Sequence, residues 1–144
     1  MISAGTAALL QNPDQLALLK SDMSLLPSAI EEMLRWASPI RNMNRTATKD
    51  VVVNGMQIRE NDRVLLLYPS ANRDAKVFDD PNSFDITRTP NDHVAFGAYG
   101  RHHCLGAPLA RLELKILFEE MLNRFDNLQL ATDQPLISRR GNFV

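Results

Sequence analysis

The sequence lacks several features that would place it in a special class. A single cysteine among 144 residues excludes an internal disulfide framework and is typical of a reducing compartment. A net charge of -1 provides no basic excess to neutralise phosphates, so no nucleic-acid partner is expected. No apolar run approaches the roughly 20 residues of a membrane span, and no signal sequence precedes the first predicted helix. We therefore expect a cytoplasmic protein without a membrane span.

The composition and periodicity that remain are those of one globular domain, residues 1–144. The hydrophobic content is 44%, which is ordinary for a folded protein of this length. Apolar residues at helical spacing predict helices over residues 1–10, 14–20, 29–37 and 105–125. The last of these carries so much apolar surface that we expect it not to lie on the outside of the protein.

Residues 40–67 change to a strand pattern. Val51–Val53 and Met56–Arg59 flank Asn54-Gly55, a dipeptide that tolerates positive φ at both positions and so predicts a two-residue hairpin turn. Further strands are predicted over Val64–Leu67, which is expected to be buried, and over 127–130 and 137–144. The predicted fold class is therefore mainly α with a small antiparallel β-sheet (α+β).

The cysteine, Cys104, lies where a glycine-containing loop meets the helix predicted from residue 105. The loop, residues 93–106, reads HVAFGAYGRHHCLG, and Gly97, Gly100 and Gly106 allow positive φ or a close backbone approach. A cysteine in the first turn of a helix faces unpaired backbone N–H groups and the positive end of the helix dipole, which favours thiolate over thiol. We expect this loop to wrap closely around a ligand.

Three interpretations of Cys104 remain open from the residues alone. It is an inert, buried small hydrophobe, or a catalytic nucleophile paired with His102 or His103, or a thiolate ligand of a metal. Haem iron is the case that needs one protein sulfur. Zinc is not expected, because three consecutive side chains do not easily converge on one tetrahedral ion.

The same stretch resembles the haem-binding loop of the cytochrome P450 family. The matching residues are Phe96-Gly97, then Gly100, His102 and Cys104-Leu105-Gly106. The resemblance implies that Cys104 is the axial ligand of the iron of haem b and that His102 contacts a haem propionate. It also implies that the aromatic ring and the glycines at the matching positions shape the cofactor site. Phe96 stands eight residues before the cysteine, where the usual spacing is seven, so Ala98 behaves as an additional residue.

A second motif of the same family lies in the helix predicted over 29–37. Glu32 and Arg35 are spaced i, i+3 and share a helix face, where an isolated pair is usually a weak surface ion pair. The resemblance implies instead a buried structural pair beneath the haem, tied to the meander that precedes the cysteine loop. That meander corresponds to residues 70–92.

The meander departs from the family pattern at one position. Ser83 stands where many members have the arginine that completes a triad with the Glu-x-x-Arg pair. Arg88 and Arg73 are the two candidates to replace it, and the sequence does not choose between them.

Three residues before the predicted hairpin are candidates for contact with the haem or the substrate. By composition Arg45 is a solvated arginine among Asn and Thr, whereas the resemblance implies that its planar guanidinium contacts the second haem propionate. Ile40 and Met43 correspond to a strand that lines the substrate pocket in the family, so both are expected substrate contacts.

The family resemblance implies a haem-thiolate monooxygenase. Such an enzyme inserts oxygen from O₂ into an apolar small molecule, using electrons delivered through ferredoxin reductase and ferredoxin. Arg101, Arg111 and Lys115 either dock the acidic electron donor or are ordinary solvated charges.

The resemblance also implies that the chain is the C-terminal, haem-binding portion of the fold, with the N-terminal portion missing. That portion would include the distal helix that supports oxygen activation. The alternative function is therefore a catalytically silent haem-binding fragment. A third hypothesis is a cysteine hydrolase that uses Cys104 and His102.

Overall fold

The computed structural model describes residues 1–97 and 100–132, and four longer helices form its framework. Helix α1 spans Ile2–Gln11, α2 spans Pro13–Ser21, and a 3₁₀ turn at Met23–Leu25 leads into α3, Leu26–Ala37. A single helical turn, α4, covers Tyr68–Ala71, and α5 covers Ala107–Arg124. Each predicted helix is present with shifted ends, whereas α4 was not expected.

The strands form two separate antiparallel pairs. β1 (Asn42–Thr46) pairs with β4 (Arg63–Leu67), and β2 (Val51–Val53) pairs with β3 (Met56–Ile58). The β2–β3 hairpin turns at Asn54 and Gly55, whose φ values are 50° and 79°, as the Asn-Gly dipeptide predicts.

One strand prediction is wrong, and another is right about the strand but wrong about its burial. The segment expected to be a buried strand exposes Leu65 and Leu67 by about half, because no second layer covers this face within the described residues. Residues 127–130 have no strand partner there and are irregular. The strand predicted over 137–144 lies outside the described residues.

The hydrophobic core lies where α1, α2, α3 and α5 meet. Gly5 allows close helix packing, since a Cβ at that position would lie 2.9 Å from Met33 Sδ and 3.0 Å from Phe118 Cζ. Phe84, Ile86 and Ala95 of the irregular segment join the same cluster. The helical core residues are Ala8, Leu9, Leu19, Leu26, Ala29, Ile30, Met33, Leu34, Leu114, Phe118 and Leu122.

Part of α5 does not enter this core. Leu109, Leu112 and Ile116 are each more than half exposed, and Leu105, just before the helix, is 97% exposed. The expectation that this helix would not lie on the outside of the protein therefore holds for only one of its faces within the described residues: one apolar stripe packs on α3 and the other faces outward. No helix in the described part of the chain is both long enough and apolar enough to cross a membrane.

The long irregular segment between α4 and α5 is fixed to α3 by Arg35. The Arg35 side chain is fully buried and donates to the backbone carbonyl oxygens of Asn72 (2.8 Å), Pro81 (2.9 Å) and Ser83 (2.9 Å). Its Nε and Nη2 atoms also donate to the two carboxylate oxygens of Glu32, both at 2.7 Å. One guanidinium thus satisfies carbonyl groups that the segment cannot pair within regular secondary structure.

The Glu32 carboxylate is also fully buried and collects further donors. Besides Arg35, it accepts hydrogen bonds from Arg88 Nε (3.2 Å), Asn91 Nδ2 (3.1 Å) and the backbone N–H of Asp85 (2.9 Å). These bonds compensate for the loss of water around the carboxylate.

Of the two arginines that could replace the missing one at Ser83, Arg88 contacts Glu32. Its side chain also donates to the carbonyl oxygens of Asp79, Asp80 and Ser83. Arg73 instead donates to the Trp36 carbonyl oxygen (3.0 Å) and lies over the Trp36 ring, 4.8 Å from its centroid.

Asn72 connects the end of α3 with the start of the cysteine loop. This fully buried side chain donates from Nδ2 to Ser38 Oγ (2.8 Å) and accepts from the backbone N–H of Val94 at Oδ1 (2.8 Å). The loop therefore begins at a fixed point relative to α3.

Glu31, the neighbour of Glu32 on α3, forms a second cluster on the side of α3 that faces α5. Its carboxylate accepts from Arg111 Nε (2.6 Å) and Nη2 (2.8 Å), and it lies 2.9 Å from His93 Nε2. The cluster therefore joins α3, the cysteine loop and α5.

Replacing Glu32 by glutamine tests the importance of the buried pair. The variant leaves the Arg35 charge buried without a counter-ion, so we expect the free energy of unfolding to fall by about 3–5 kcal/mol in urea denaturation followed by circular dichroism. Glu120→Gln is the matched control, because Glu120 pairs with Arg124 at the exposed surface of α5. That control is expected to lose less than about 1 kcal/mol. Equal losses in the two variants would contradict the prediction.

The pKa of Glu31 predicts an acid-sensitive part of the stability. Burial alone would raise this pKa, but the hydrogen bonds from Arg111 and His93 and the guanidinium charge outweigh burial and lower it from 4.5 to about 2. Because the pKa in the folded state lies below that in the unfolded state, the stabilisation is fully present above pH 4.5 and is lost as the pH falls toward 2.

The measurement is the difference in unfolding free energy between the wild type and Glu31→Gln as a function of pH. Other carboxylates are common to both proteins, so their titration largely cancels in the difference. We expect the difference to be constant near neutral pH and to shrink below pH 4.5. A difference that stays constant into strong acid would show that this carboxylate does not stabilise the fold by its charge.

Candidate functional site

The cysteine loop is held by its own backbone rather than by regular secondary structure. The N–H of Cys104 donates to the carbonyl oxygen of Phe96 (2.9 Å), and the N–H of Gly97 donates to that of Val94 (2.8 Å). Gly97 and Gly100 have φ values of 84° and 126°, a region that side chains rarely adopt. The two glycines therefore have the conformational role that the sequence predicts.

Cys104 is not in the first turn of α5. The helix begins at Ala107 with Gly106 as its N-cap, and the Cys104 carbonyl oxygen accepts the Ala107 N–H at 3.2 Å. The sequence placed the helix start too early, because the periodic leucines continue into Leu105, which lies outside the helix. Gly106 has φ of -80°, and a Cβ there would meet Cys104 Sγ at an ordinary 3.8 Å.

Two side chains contact the Phe96 ring. The His93 ring lies 6.2 Å from it between centroids, and the Arg111 guanidinium lies 4.7 Å from its centroid, a cation–π distance. Arg111 is therefore not a free surface charge. It engages both Glu31 and Phe96, which leaves it poorly placed to dock an acidic partner.

A cavity of about 400 Å³ lies between the cysteine loop and the β4–α4 region. Arg45 and His102, which are distant in sequence, both line it, and so does Arg101. Its other lining residues are mostly apolar or small: Leu66, Leu67, Tyr68, Ala71, Val94 and Gly97. Cationic donors at the edge of an apolar cavity suit a ligand that is itself apolar but carries carboxylate groups.

The predicted site residues fall into three groups. Arg45, His102 and Gly97 meet at this cavity, whereas Cys104 is partly buried in the same loop and is not among the residues that line the cavity. Ile40 is partly buried and Met43 is 38% exposed on β1, and neither lines the cavity. The residues expected to form a structural pair do so, with complete burial.

One alternative interpretation of Cys104, a catalytic nucleophile paired with a histidine, lacks the contact that it needs. Within residues 1–97 and 100–132, no hydrogen bond joins Cys104 Sγ to either His102 or His103, as a nucleophile with a general base would require. In the same residues, no three His, Cys, Asp or Glu side chains are grouped in a way that could hold a metal ion.

Ala98, which the sequence predicts to be an additional residue of the loop, lies outside the described residues.

Two polar connections of the loop were not found from the sequence. One is the hydrogen bond that the Val94 N–H donates to Asn72 Oδ1, and the other is the contact of Glu31 with His93 together with its ion pair with Arg111. The doubled acid at positions 31 and 32 and the histidine that opens the loop were the available signals. Neither signal has a sequence spacing from which these contacts could be predicted.

Comparison with known proteins identifies the family. The family model described as Cytochrome P450 matches residues 12–144. A steroid C26-monooxygenase of Mycolicibacterium smegmatis is 51% identical over 143 residues, which are 99% of this chain and 35% of that protein. Cytochrome P450-terp of a Pseudomonas species is 48% identical over 134 residues, covering 93% of this chain and 31% of that protein.

A solved structure agrees. CYP109E1 from Bacillus megaterium in complex with testosterone matches with a TM-score of 0.92 at 38% identity, over 99% of this chain and 40% of that one. The chain spans about a third of the length of the curated relatives it matches, and its helices and small antiparallel sheets are part of their fold. Since the family model covers residues 12–144, this chain belongs to the cytochrome P450 family.

Proposed function

We propose that Cys104 is the axial thiolate ligand of the iron of haem b. The cavity beside the cysteine loop supports this proposal, because Arg45 and His102 reach it from separate parts of the chain. Their donors suit the two propionates, and the apolar walls suit the ring. The cofactor supplies redox and oxygen chemistry that no side chain of the protein can supply.

The residues around the thiol have distinct proposed tasks. Phe96, Gly97, Gly100 and Gly106 shape the loop so that the sulfur faces the iron. The buried pair of Glu32 with Arg35 has a structural task, since it fixes the meander and, through Asn72, the start of the loop.

The activity proposed for the whole protein is a monooxygenase reaction on an apolar organic substrate. Relatives support this reading: one is named a steroid C26-monooxygenase, and a solved relative contains testosterone. Met43 on β1 and Ile40, two residues before that strand, are proposed substrate contacts. Their apolar side chains are partly accessible, as a binding surface requires.

The proposed electron donors are a ferredoxin and its reductase, in the cytoplasm. Lys115 and Arg101 are the cations available for docking, since Arg111 is bound to Glu31. The electron donor would approach the protein on the side of the cysteine loop.

The alternative is a catalytically silent haem-binding fragment. It is favoured by the outward apolar stripe of α5, in particular Leu109, Leu112 and Ile116. Under this alternative the chain binds haem without turnover.

The carbon monoxide spectrum of the reduced, haem-loaded protein tests the ligand. We expect the Soret band of a thiolate-ligated haem in the wild type and its loss in Cys104→Ser, because a hydroxyl is a poor ligand for ferrous iron. His103→Gln is the control, as the neighbouring residue should leave the band unchanged. A band that persists in the serine variant would refute the assignment.

Turnover separates the enzyme from the silent fragment. Product formation from an apolar test substrate with a surrogate ferredoxin and reductase would support the monooxygenase. A thiolate band without any product would support the alternative.

Arg45→Gln tests the proposed propionate contact. The variant keeps a polar side chain but loses the charge and one fork of donors, so haem affinity should fall by about tenfold. Haem titration followed by absorbance measures this, with Arg63→Gln on β4 as the control, because Arg63 does not line the cavity. Equal affinities of the two variants would argue against the contact.

A further inference from the structure

Glu31 is half-buried yet fully engaged by donors from two other parts of the chain. Its two carboxylate oxygens receive Arg111 Nε and Nη2 at 2.6 and 2.8 Å, a bidentate geometry. His93 Nε2 lies 2.9 Å from the same carboxylate, and the His93 side chain is 3% exposed. An exposed ion pair contributes little, but this pair is partly desolvated and shared among three elements.

The proton of His93 is placed by its surroundings. The backbone N–H of Ala95 donates to His93 Nδ1 at 3.2 Å, so that nitrogen carries no hydrogen. The hydrogen of the ring is then on Nε2 and is donated to Glu31. The histidine therefore has one orientation that satisfies both ring nitrogens, and that orientation depends on Glu31.

Phe96 connects this cluster to the cysteine. Its ring lies 6.2 Å from the His93 ring and 4.7 Å from the Arg111 guanidinium. Its carbonyl oxygen accepts the N–H of Cys104 at 2.9 Å. Both cluster partners of Glu31 thus touch the residue that sets the backbone position of the sulfur.

We propose that Glu31 is a positioning residue for the Cys104 thiolate, acting through His93 and Arg111 on Phe96. Its role differs from that of Glu32, which fixes the meander. The importance of the position for ligation rests on the proposed function, whereas the position itself is measurable on the protein without haem.

Hydrogen exchange of the Cys104 amide measures the proposed effect directly. In Glu31→Gln we expect that amide to exchange about tenfold faster or more, because the bond to Phe96 opens more often once the charged contacts behind it are lost. The amides of Leu34 and Phe118 in the core report global unfolding and should accelerate less than the Cys104 amide at the same pH. Glu120→Gln, which removes the same charge from an exposed pair, should change none of the three.

A conservative variant separates positioning from general destabilisation. Arg111→Lys keeps the positive charge but loses the bidentate fork, so its effect on the Cys104 amide should be smaller than that of Glu31→Gln and in the same direction. Equal acceleration of core and loop amides would overturn the proposal, as it would indicate global unfolding. An unchanged Cys104 amide in Glu31→Gln would overturn it as well.

The haem-loaded proteins provide the second readout. We expect Glu31→Gln to show a smaller fraction of the thiolate form in the carbon monoxide spectrum than the wild type, at equal haem content. If the wild type binds no haem, the proposed function fails, while the exchange experiment still decides on positioning. If the wild type shows the thiolate form and the variant shows the same fraction, positioning fails alone.

Discussion

The buried ion pair of Glu32 and Arg35 is the interaction on which the rest of the structure depends. More than thirty of the described residues between α4 and α5 have no regular secondary structure, so their backbone groups need partners from elsewhere. Arg35 supplies three of these partners at once, and Glu32 holds the guanidinium in the required orientation. Neither charge is tolerable alone in this environment, because burial of an unpaired ion is expensive. The pair therefore fixes the irregular segment to α3.

Two adjacent carboxylates on α3 contact different parts of the irregular segment. Successive residues of a helix point about 100° apart, so Glu31 and Glu32 necessarily face different neighbours. Glu32 faces the meander and collects Arg88 as well as Arg35, while Glu31 faces the cysteine loop and α5. One turn of one helix thus fixes both the segment that supports the loop and the loop itself. The doubled acid is a structural device, which a single surface carboxylate could not replace.

The sequence predicted local features well and partners poorly. Asn54-Gly55 specifies its turn through backbone sterics, which need no distant neighbour, and the helices followed from apolar spacing. Periodicity, however, identifies an apolar face without identifying what covers it, so the exposure of Leu109 was unexpected. The choice of Arg88 over Arg73 likewise depends on the path of the meander, which no local pattern encodes.

The cysteine loop is anchored on both sides of Ala98, the position that the sequence predicts to be an additional residue. The two ends of the stretch from Phe96 to Cys104 are joined by the hydrogen bond that the Cys104 N–H donates to the Phe96 carbonyl oxygen. The Phe96 ring is in turn contacted by His93 and Arg111. A residue inserted between these ends changes the length of the connection but not the anchors. Gly97 and Gly100, with their positive φ values, supply the backbone freedom that such a connection needs. The backbone at Cys104 is therefore held through Phe96, whose ring contacts His93 and Arg111.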